Sequence, residues 1–489
     1  MPVAESVRRM KDKAPSFMTI LKVVLPVGLG YLLGSAIVNP YHRTIEILVG
    51  FFIAAAAFLI KPSRAIAAFI VIFLFPAHLS IGTSNTVFIL ILLSTWVAQQ
   101  VISGQKITVR TPLDLPIVVM AAAYLLSLSN VPHGLYGVNL RGLTVFLTSV
   151  AIYYLVVNLT NDTAGIRRLL WAGAIGAAIM AGIGLYEVFN PGRQLLPYFL
   201  IMREAPSDVP IVRAGSGFRN SSVLSQYCLF YILAGAFMFT RETSRFLRTV
   251  IALLLSASLI IFVSTAMRGA LLAGAAGLVF LVWRSRGIFD TRKLVIVVLA
   301  CAVVFLVAHQ VLNTAGFVPN IWGRFSELQQ KVGSHVDRVA VMREVFDRSM
   351  EHPFIGHGPV IHLPRGFVTV RSNNPHCQYL LYLYTIGLLG LAGFIWLLVG
   401  LFRLSSQSIR RGDHNKFLQG LMVILQTFLV IFVLHETVDD YSSSFNYPLF
   451  IWYTFALVVT TRNVLLREAS AAEQVPGAGS PGDLSRGRS

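Results

Sequence analysis

The chain is predicted to be an all-α polytopic membrane helix bundle, and three observations carry that prediction. It is 55% hydrophobic and only 13% charged over 489 residues, with a mean hydropathy of +0.69, values outside those of soluble globular domains. Apolar runs of roughly 17 to 25 residues recur along nearly the whole length, each long enough at about 1.5 Å per residue to cross a hydrocarbon core of roughly 30 Å. The runs are continuous rather than alternating, which points to helices and not to a barrel.

Taken in order, Arg8, Arg9, Lys11 and Lys13 precede the first apolar run, 17–38. That run is too long for a signal-peptide core and no clear small-residue cleavage site follows it, so it reads as a retained helix. Further helices are predicted at 44–60, 65–79, 86–102, 113–129, 142–159, 168–189, 221–240, 249–266, 269–283, 293–312, 376–402, 417–436 and 445–461. Together they make about twelve to fourteen crossings. The expected organisation is a cytoplasmic start (1–16), N-terminal membrane helices (17–189), a first outer loop (190–220), membrane helices with a short outer turn (221–312), a long outer loop (313–375), C-terminal membrane helices (376–461) and a small, polar cytoplasmic tail (462–489).

Charge orients the bundle. The formal net charge is +18, but the cations sit mainly in short connectors, which argues against a nucleic-acid partner. Lys61 and Arg64, Lys106 and Arg110, Arg167 and Arg168, Arg241, Arg245 and Arg248, Arg284, Arg286, Arg292 and Lys293, then Arg403, Arg410, Arg411 and Lys416 occupy alternate connectors. Short loops rich in Lys and Arg stay in the cytoplasm, so both termini are expected inside. Cys228, Cys301 and Cys377 show no CxxC spacing, so neither a disulfide framework nor a zinc site is expected.

The two long outer loops break the pattern by being basic. Arg193, Arg203, Arg213 and Arg219 lie in the first; Arg324, Lys331, Arg338, Arg343, Arg348, Arg365 and Arg371 lie in the second. Within 325–350, apolar residues recur at three- and four-residue steps, which predicts an amphipathic helix on the outer leaflet or capping the bundle. The turn HPFIGHG, 352–358, ends it.

Four features share this side: Arg213 and Arg219 in RAGSGFRN, Arg268 in STAMRGA, the HPFIGHG turn, and His376 in NNPHCQYL. The stretch 249–283 is too long for one crossing and is expected to break at MRG, which puts Arg268 in a tight outer turn. Arginine at a membrane edge snorkels to lipid phosphates or faces an anion, for which its planar fork of donors is suited. His376 stands at the outer start of a helix, where the helix dipole favours a neutral imidazole, the form a general base requires; a capping or interfacial role is the alternative. His352, His357 and His362 match no standard ligand spacing, and neither metal nor cofactor is expected. Gly387, Gly390 and Gly393 look like positions where a second helix approaches closely. In HETVDD, 435–440, the acidic groups could hold arginines or sugar hydroxyls.

These segments, in this order, resemble the O-antigen ligase and O-antigen polymerase superfamily of bacterial inner-membrane glycan transferases. The pattern covers about residues 210–460: GSGFRNSSVLSQY, STAMRGA, the loop with Arg338 and Arg343 ahead of HPFIGHG, PHCQYLLYLYTIGLLGLAGF and HETVDDYSSSFNYPLFIW. The resemblance implies an undecaprenyl diphosphate-linked glycan as donor and a metal-independent, inverting transfer on the periplasmic face. It implies that His376 activates an acceptor hydroxyl and that Arg268, with Arg213 or Arg219, holds the diphosphate; Arg338 and Arg343 are possible loop contacts. Cys377 stands where the family often has Asn, and two N-terminal helices exceed the common twelve-helix plan. The acceptor would be lipid A-core oligosaccharide for a ligase or another lipid-linked repeat for a polymerase, the latter with a chain-length regulator as partner. A lipid-linked oligosaccharide flippase or other transporter is the rival, although no internal repeat is apparent. A peptidoglycan-type polymerase would instead rely on Asp439 or Asp440.

Overall fold

The computed structural model describes residues 62–72, scattered positions within 89–101, and residues 110–190, 202–204, 211–213, 220–289, 291–316, 332–361, 375–439 and 446–473. The helices expected at 17–38 and 44–60, along with Arg219, Asp440 and the tail beyond 473, lie outside the described residues. Two compact units divide the chain, Met1–Ile66 with Ala77–Gln105, and Ala67–Pro76 with Lys106–Ser489. In the first, Ile89, Leu92 and Trp96 are buried at three- and four-residue steps along helical positions.

Helix α1 (Pro62–Ile72) straddles the division. The second unit then runs through α2 (Asp114–Ser127), α3 (Tyr136–Leu159), α4 (Thr163–Phe189), α5 (Ser221–Arg241), α6 (Arg245–Thr265), α7 (Arg268–Arg284), α8 (Thr291–Thr314), α9 (Val332–Ser349), α10 (Gln378–Arg411), α11 (Lys416–His435) and α12 (Tyr447–Glu473). A two-stranded antiparallel ribbon, β1 (Met202–Glu204) with β2 (Ile211–Arg213), lies between α4 and α5 in the chain. Eight helices among the described residues are long and apolar enough to cross a membrane: α3 to α6, α8 and α10 to α12. The chain is a multi-pass membrane protein with an all-helical bundle.

Local chemistry sets where these helices start. Asn220 caps α5, its side-chain oxygen accepting from the Ser222 N–H at 2.8 Å. Asp162 caps α4 through Gly165 N–H, and Asn415 caps α11 through Phe417 and Leu418 N–H. Each such cap contributes about 1 kcal/mol by pairing an orphan amide. Between α6 and α7 the chain turns through Ala266, in the left-handed region at φ 49°, and Met267. The break expected in 249–283 is here, but Arg268 is the first residue of α7 rather than part of the turn.

Helices α11 and α12 form the centre, where Leu418, Leu421, Met422, Phe428, Phe432, Phe450, Tyr453 and Leu457 are all sealed from solvent. The periphery is inverted. On α8, Leu299, Val303, Val307 and Val311 recur every four residues and are more than half exposed, an apolar face that hydrocarbon must cover. Helix α7 runs antiparallel to α11, since Gly269 meets Val438, Gly277 meets Ile431 and Arg284 Nε donates to Gln426 Oε1 at 3.1 Å. One end of the bundle is basic: Arg241 reaches the Lys416 carbonyl and Arg167 lies over the Phe417 ring.

Helix α10 departs from the single helix expected at 376–402. Gly387 takes φ 66° and ψ −172°, a combination open essentially to glycine alone. The bend is sharp: the Tyr382 and Phe394 rings are 4.7 Å apart, whereas twelve residues of straight helix would separate them by about 18 Å. A short segment, 378–386, therefore folds back on the start of a long one, 388–411. The HPFIGHG turn fills the break. Its Pro353 and Phe354 carbonyls accept from Leu388 and Leu389 N–H at 2.7 and 3.2 Å, and its His357 and Gly358 N–H donate to the Tyr384 and Thr385 carbonyls at 2.9 and 3.0 Å. Gly393 does admit a neighbouring helix, since a Cβ there would press on Met120 of α2; Gly387 serves the bend instead.

Amphipathic α9, whose first six residues are described in backbone only, docks beside this break. Val341 and Val345 pack with Tyr384, joined by Ile361 and Leu380. His357 stacks on Tyr384 at 4.5 Å and donates from Nε2 to the Arg348 carbonyl at 2.8 Å.

Replacing Gly387 by Ala would force a Cβ into the Phe354 backbone in a conformation that costs about 1–3 kcal/mol before any clash. Gly387→Ala is therefore expected to lower the melting temperature and the folded yield in detergent, whereas Gly182→Ala, where no atom lies within 4 Å of the added Cβ, is expected to leave both unchanged.

Candidate functional site

At the end of the bundle opposite the basic connectors, five chain ends meet: the starts of α5, α7, α10 and α12 and the finish of α11. The connection begins with the Gln378 N–H, which donates to the Glu436 carbonyl at 2.9 Å. This bond joins the start of α10 to the finish of α11. It has the consequence that His376, two residues before Gln378, faces Asp439, three residues after Glu436. The His376 Nδ1 and Asp439 Oδ1 atoms are 3.8 Å apart, within ion-pair reach, with the imidazole partly open to solvent. His376 is held in the left-handed region, φ 49°, which non-glycine residues adopt in only a few per cent of cases. Together with Pro375, which is buried, this aims the ring off the helix start rather than along it.

Arg268 enters the same end from α7. Its neighbour Gly269 sits so close to Val438 that a Cβ would lie 2.9 Å from the valine methyl, which sets the half-buried Arg268 beside the segment that carries Asp439. As the first residue of α7 it adds its cation to the positive end of a helix dipole, a combination suited to an anion.

Beneath the His376–Asp439 pair lies a buried polar cluster. Gln226 on α5 donates from Nε2 to Glu436 Oε1 at 2.8 Å and also contacts His435 Nδ1. His435 Nε2 meets Ser222 Oγ at 3.2 Å. The Tyr447 hydroxyl, from α12, lies 3.0 Å from Glu436 Oε1 and hydrogen-bonds Gln226 Oε1. All five residues are buried, Glu436 at 1% exposure. Burial, partly offset by His435 and Gln226, pushes the Glu436 carboxyl up to about 7, because a charge out of water is costly.

A cavity of about 170 Å³ opens on the other side of Gln378, walled by Tyr382 and Thr385 of α10, Trp452 of α12, Val360 after the HPFIGHG turn, and Arg141 of α3. It is mostly apolar, and the exposed Arg141 is its one charged wall residue.

The remaining predicted residues are spread more widely. Arg213 ends β2, and only its backbone is described. Arg338 and Arg343 are exposed on α9, Arg343 on the face opposite the Val341/Val345 stripe that docks on α10 and 4.0 Å from Asp347. His352 and His357 do come together, ring centroids 4.8 Å apart, but among the described residues no three His, Cys, Asp or Glu side chains gather closely enough to hold a metal ion. Gln226 and Tyr447 are not singled out as site residues by the sequence, and His435 and Glu436 figure there only within HETVDD, whose acidic groups are expected to hold arginines or sugar hydroxyls rather than a buried cluster. Their only sequence signal is a polar residue set inside each of two otherwise apolar helix ends.

Residues 229–395 match a family model described as O-antigen ligase. Over this stretch the chain is similar to that family. The matched stretch contains Arg268, the HPFIGHG turn, His376 and Gly387; Ser222, Gln226, His435, Glu436 and Asp439 flank it. No curated protein matches the chain significantly.

Gln226→Leu would keep side-chain bulk but withdraw the partner of Glu436 Oε1 and His435 Nδ1. Leaving a buried polar group unpaired costs about 1–3 kcal/mol. A fall in melting temperature larger than that of Tyr447→Phe is expected; equal stability of Gln226→Leu and the unaltered protein would show the cluster to be energetically idle.

Proposed function

We propose that the protein is an inner-membrane glycosyltransferase that moves a glycan from undecaprenyl diphosphate to a sugar hydroxyl on the periplasmic face. The observation that carries the reading is the meeting of His376, Asp439 and the Arg268 helix start at the bundle end remote from the basic connectors. Cytoplasmic connectors are the cationic ones, so that end and the histidine are periplasmic, and both termini cytoplasmic.

In this reading His376 Nε2 takes the proton of the acceptor hydroxyl, and Asp439, across from Nδ1, orients the ring and balances the imidazolium that forms. The hydroxyl oxygen attacks the anomeric carbon of the donor as the carbon–oxygen bond to the diphosphate breaks, which inverts the configuration. Negative charge collects on the departing diphosphate, where Arg268 meets it, with Arg213 or Arg219 as a second cation. The cavity bordered by Arg141 and Gln378, two residues from His376 in the chain, offers the acceptor room. The acceptor is lipid A-core oligosaccharide for a ligase, or a second lipid-linked repeat, with a chain-length regulator alongside, for a polymerase.

Removing one such electrostatic contact typically lowers rate by two to three powers of ten, about 3–4 kcal/mol. His376→Ala and Arg268→Ala are each expected to abolish polymer-bearing lipid A-core bands on lipopolysaccharide gels, in a host lacking its own ligase, at unchanged protein abundance. Restoration of the bands by the unaltered chain identifies a ligase; restoration by a variant as well removes that residue from the mechanism, and no bands from a well-expressed unaltered chain moves the acceptor to a lipid-linked repeat.

A further inference from the structure

The geometry of the cluster under the site points to a proton. Glu436 Oε1 receives the Gln226 amide at 2.8 Å and lies 3.0 Å from the Tyr447 oxygen, which in turn contacts Gln226 Oε1. The tyrosine has one hydrogen and two acceptors to serve. With Glu436 ionised, one of those oxygen pairs would be two acceptors in contact. With a proton on Glu436 Oε1 the three residues close a ring: Gln226 N–H to Glu436, Glu436 O–H to Tyr447, Tyr447 O–H to Gln226. The second carboxyl oxygen, Oε2, is buried without a hydrogen-bond partner among the described residues, tolerable for a neutral acid and costly for a carboxylate.

Among the described residues, the groups that act most on Glu436 include no arginine or lysine. From α11 itself comes His435, its Nδ1 3.8 Å from Glu436 Oε1. That nitrogen faces the Gln226 amide as acceptor, leaving Nε2–H to donate to Ser222. Beyond the helix Asp439 adds a negative charge, α12 brings Tyr447, α10 brings Tyr379, and α5 brings the amide of Gln226 and the hydroxyl of Ser222; α7, packed on α11, begins with the Arg268 cation.

We propose that Glu436 is protonated in the working protein and, through this ring and its own carbonyl, is the positioning residue that keeps His376 and Asp439 face to face. The ring anchors α5 and α12 to the last turn of α11; the Glu436 carbonyl, on the same residue, accepts the Gln378 N–H and so holds the start of α10. Ionisation breaks the ring and loosens the residue that joins the two halves of the pair. The proposal rests on the transferase reading only for its effect on rate.

The sign of the pH effect follows from burial. The folded protein holds this proton up to about 7, whereas a free glutamate releases it near 4.5, so the group's contribution to stability falls as pH rises from about 4.5 to about 7 and changes little above. Glu436→Gln supplies a permanently neutral group of the same length. In purified protein, an infrared carbonyl band of a protonated carboxyl at pH 6 is expected in the unaltered chain and not in Glu436→Gln; a band absent from the unaltered chain, or persisting in the variant, overturns the protonation. In proteoliposomes with an undecaprenyl diphosphate-linked donor, the ratio of variant to unaltered transfer rate is expected to rise about tenfold between pH 6 and 8; a ratio that does not change overturns the positioning role. If neither protein transfers at any pH, the transferase reading fails by itself. The melting-temperature difference between the two proteins then decides the tie: one that widens in the variant's favour from pH 5 to 7 upholds it, and a constant one overturns it.

Discussion

The constraint on which this structure turns is that a backbone group freed inside a membrane protein finds no water to bond with. Helix α10 is interrupted at Gly387, and the interruption leaves carbonyls on one side and amides on the other without helical partners. The HPFIGHG turn answers two of the carbonyls and two of the amides with its own backbone. That exchange fixes several things at once: it brings the amphipathic α9 against Tyr384, and it turns the short first segment of α10 toward the finish of α11. His376 then faces Asp439 because its segment has nowhere else to go.

The site is thus assembled from helix termini rather than from helix faces. Each terminus brings unsatisfied amides or carbonyls and a preference for one sign of charge. The start of α7 carries Arg268 and suits an anion, and the finish of α11 carries Glu436, Asp439 and an accepting carbonyl. The glycan transfer proposed above, which separates charge between a base and a leaving diphosphate, would need the two environments side by side. Fold and chemistry meet in the antiparallel packing of α7 on α11, where small residues such as Gly269 and Gly277 let the two approach.

Much of this was legible in the residues. Apolar run length identified the membrane helices, including α5, α6 and α11 to within a few residues, because burial in hydrocarbon leaves a coarse signal that needs no partner. The amphipathic stripe through Val339 and Phe346 signalled α9, although the buried contacts are made by Val341 and Val345 instead. The bend in α10 was not legible: a lone glycine in an apolar run reads as a packing position, and only the docking of a loop some thirty residues upstream requires it to break. The buried cluster was missed for a related reason. Gln226 and Glu436 are 210 positions apart; Gln226 alone is one polar residue in an apolar helix, and Glu436 reads as one of three acidic groups at a membrane edge.

The bend has a mechanical consequence. A membrane helix that carried His376 on its own end would rise, sink and tilt with the thickness of the lipid around it. Here the long segment 388–411 meets the lipid, while the short segment is pinned to Glu436 and to the HPFIGHG turn by backbone bonds. The depth of the histidine is set by neighbouring protein and is decoupled from the bilayer. A stretched or thinned membrane leaves the ring where it is, and the protein keeps its own ruler.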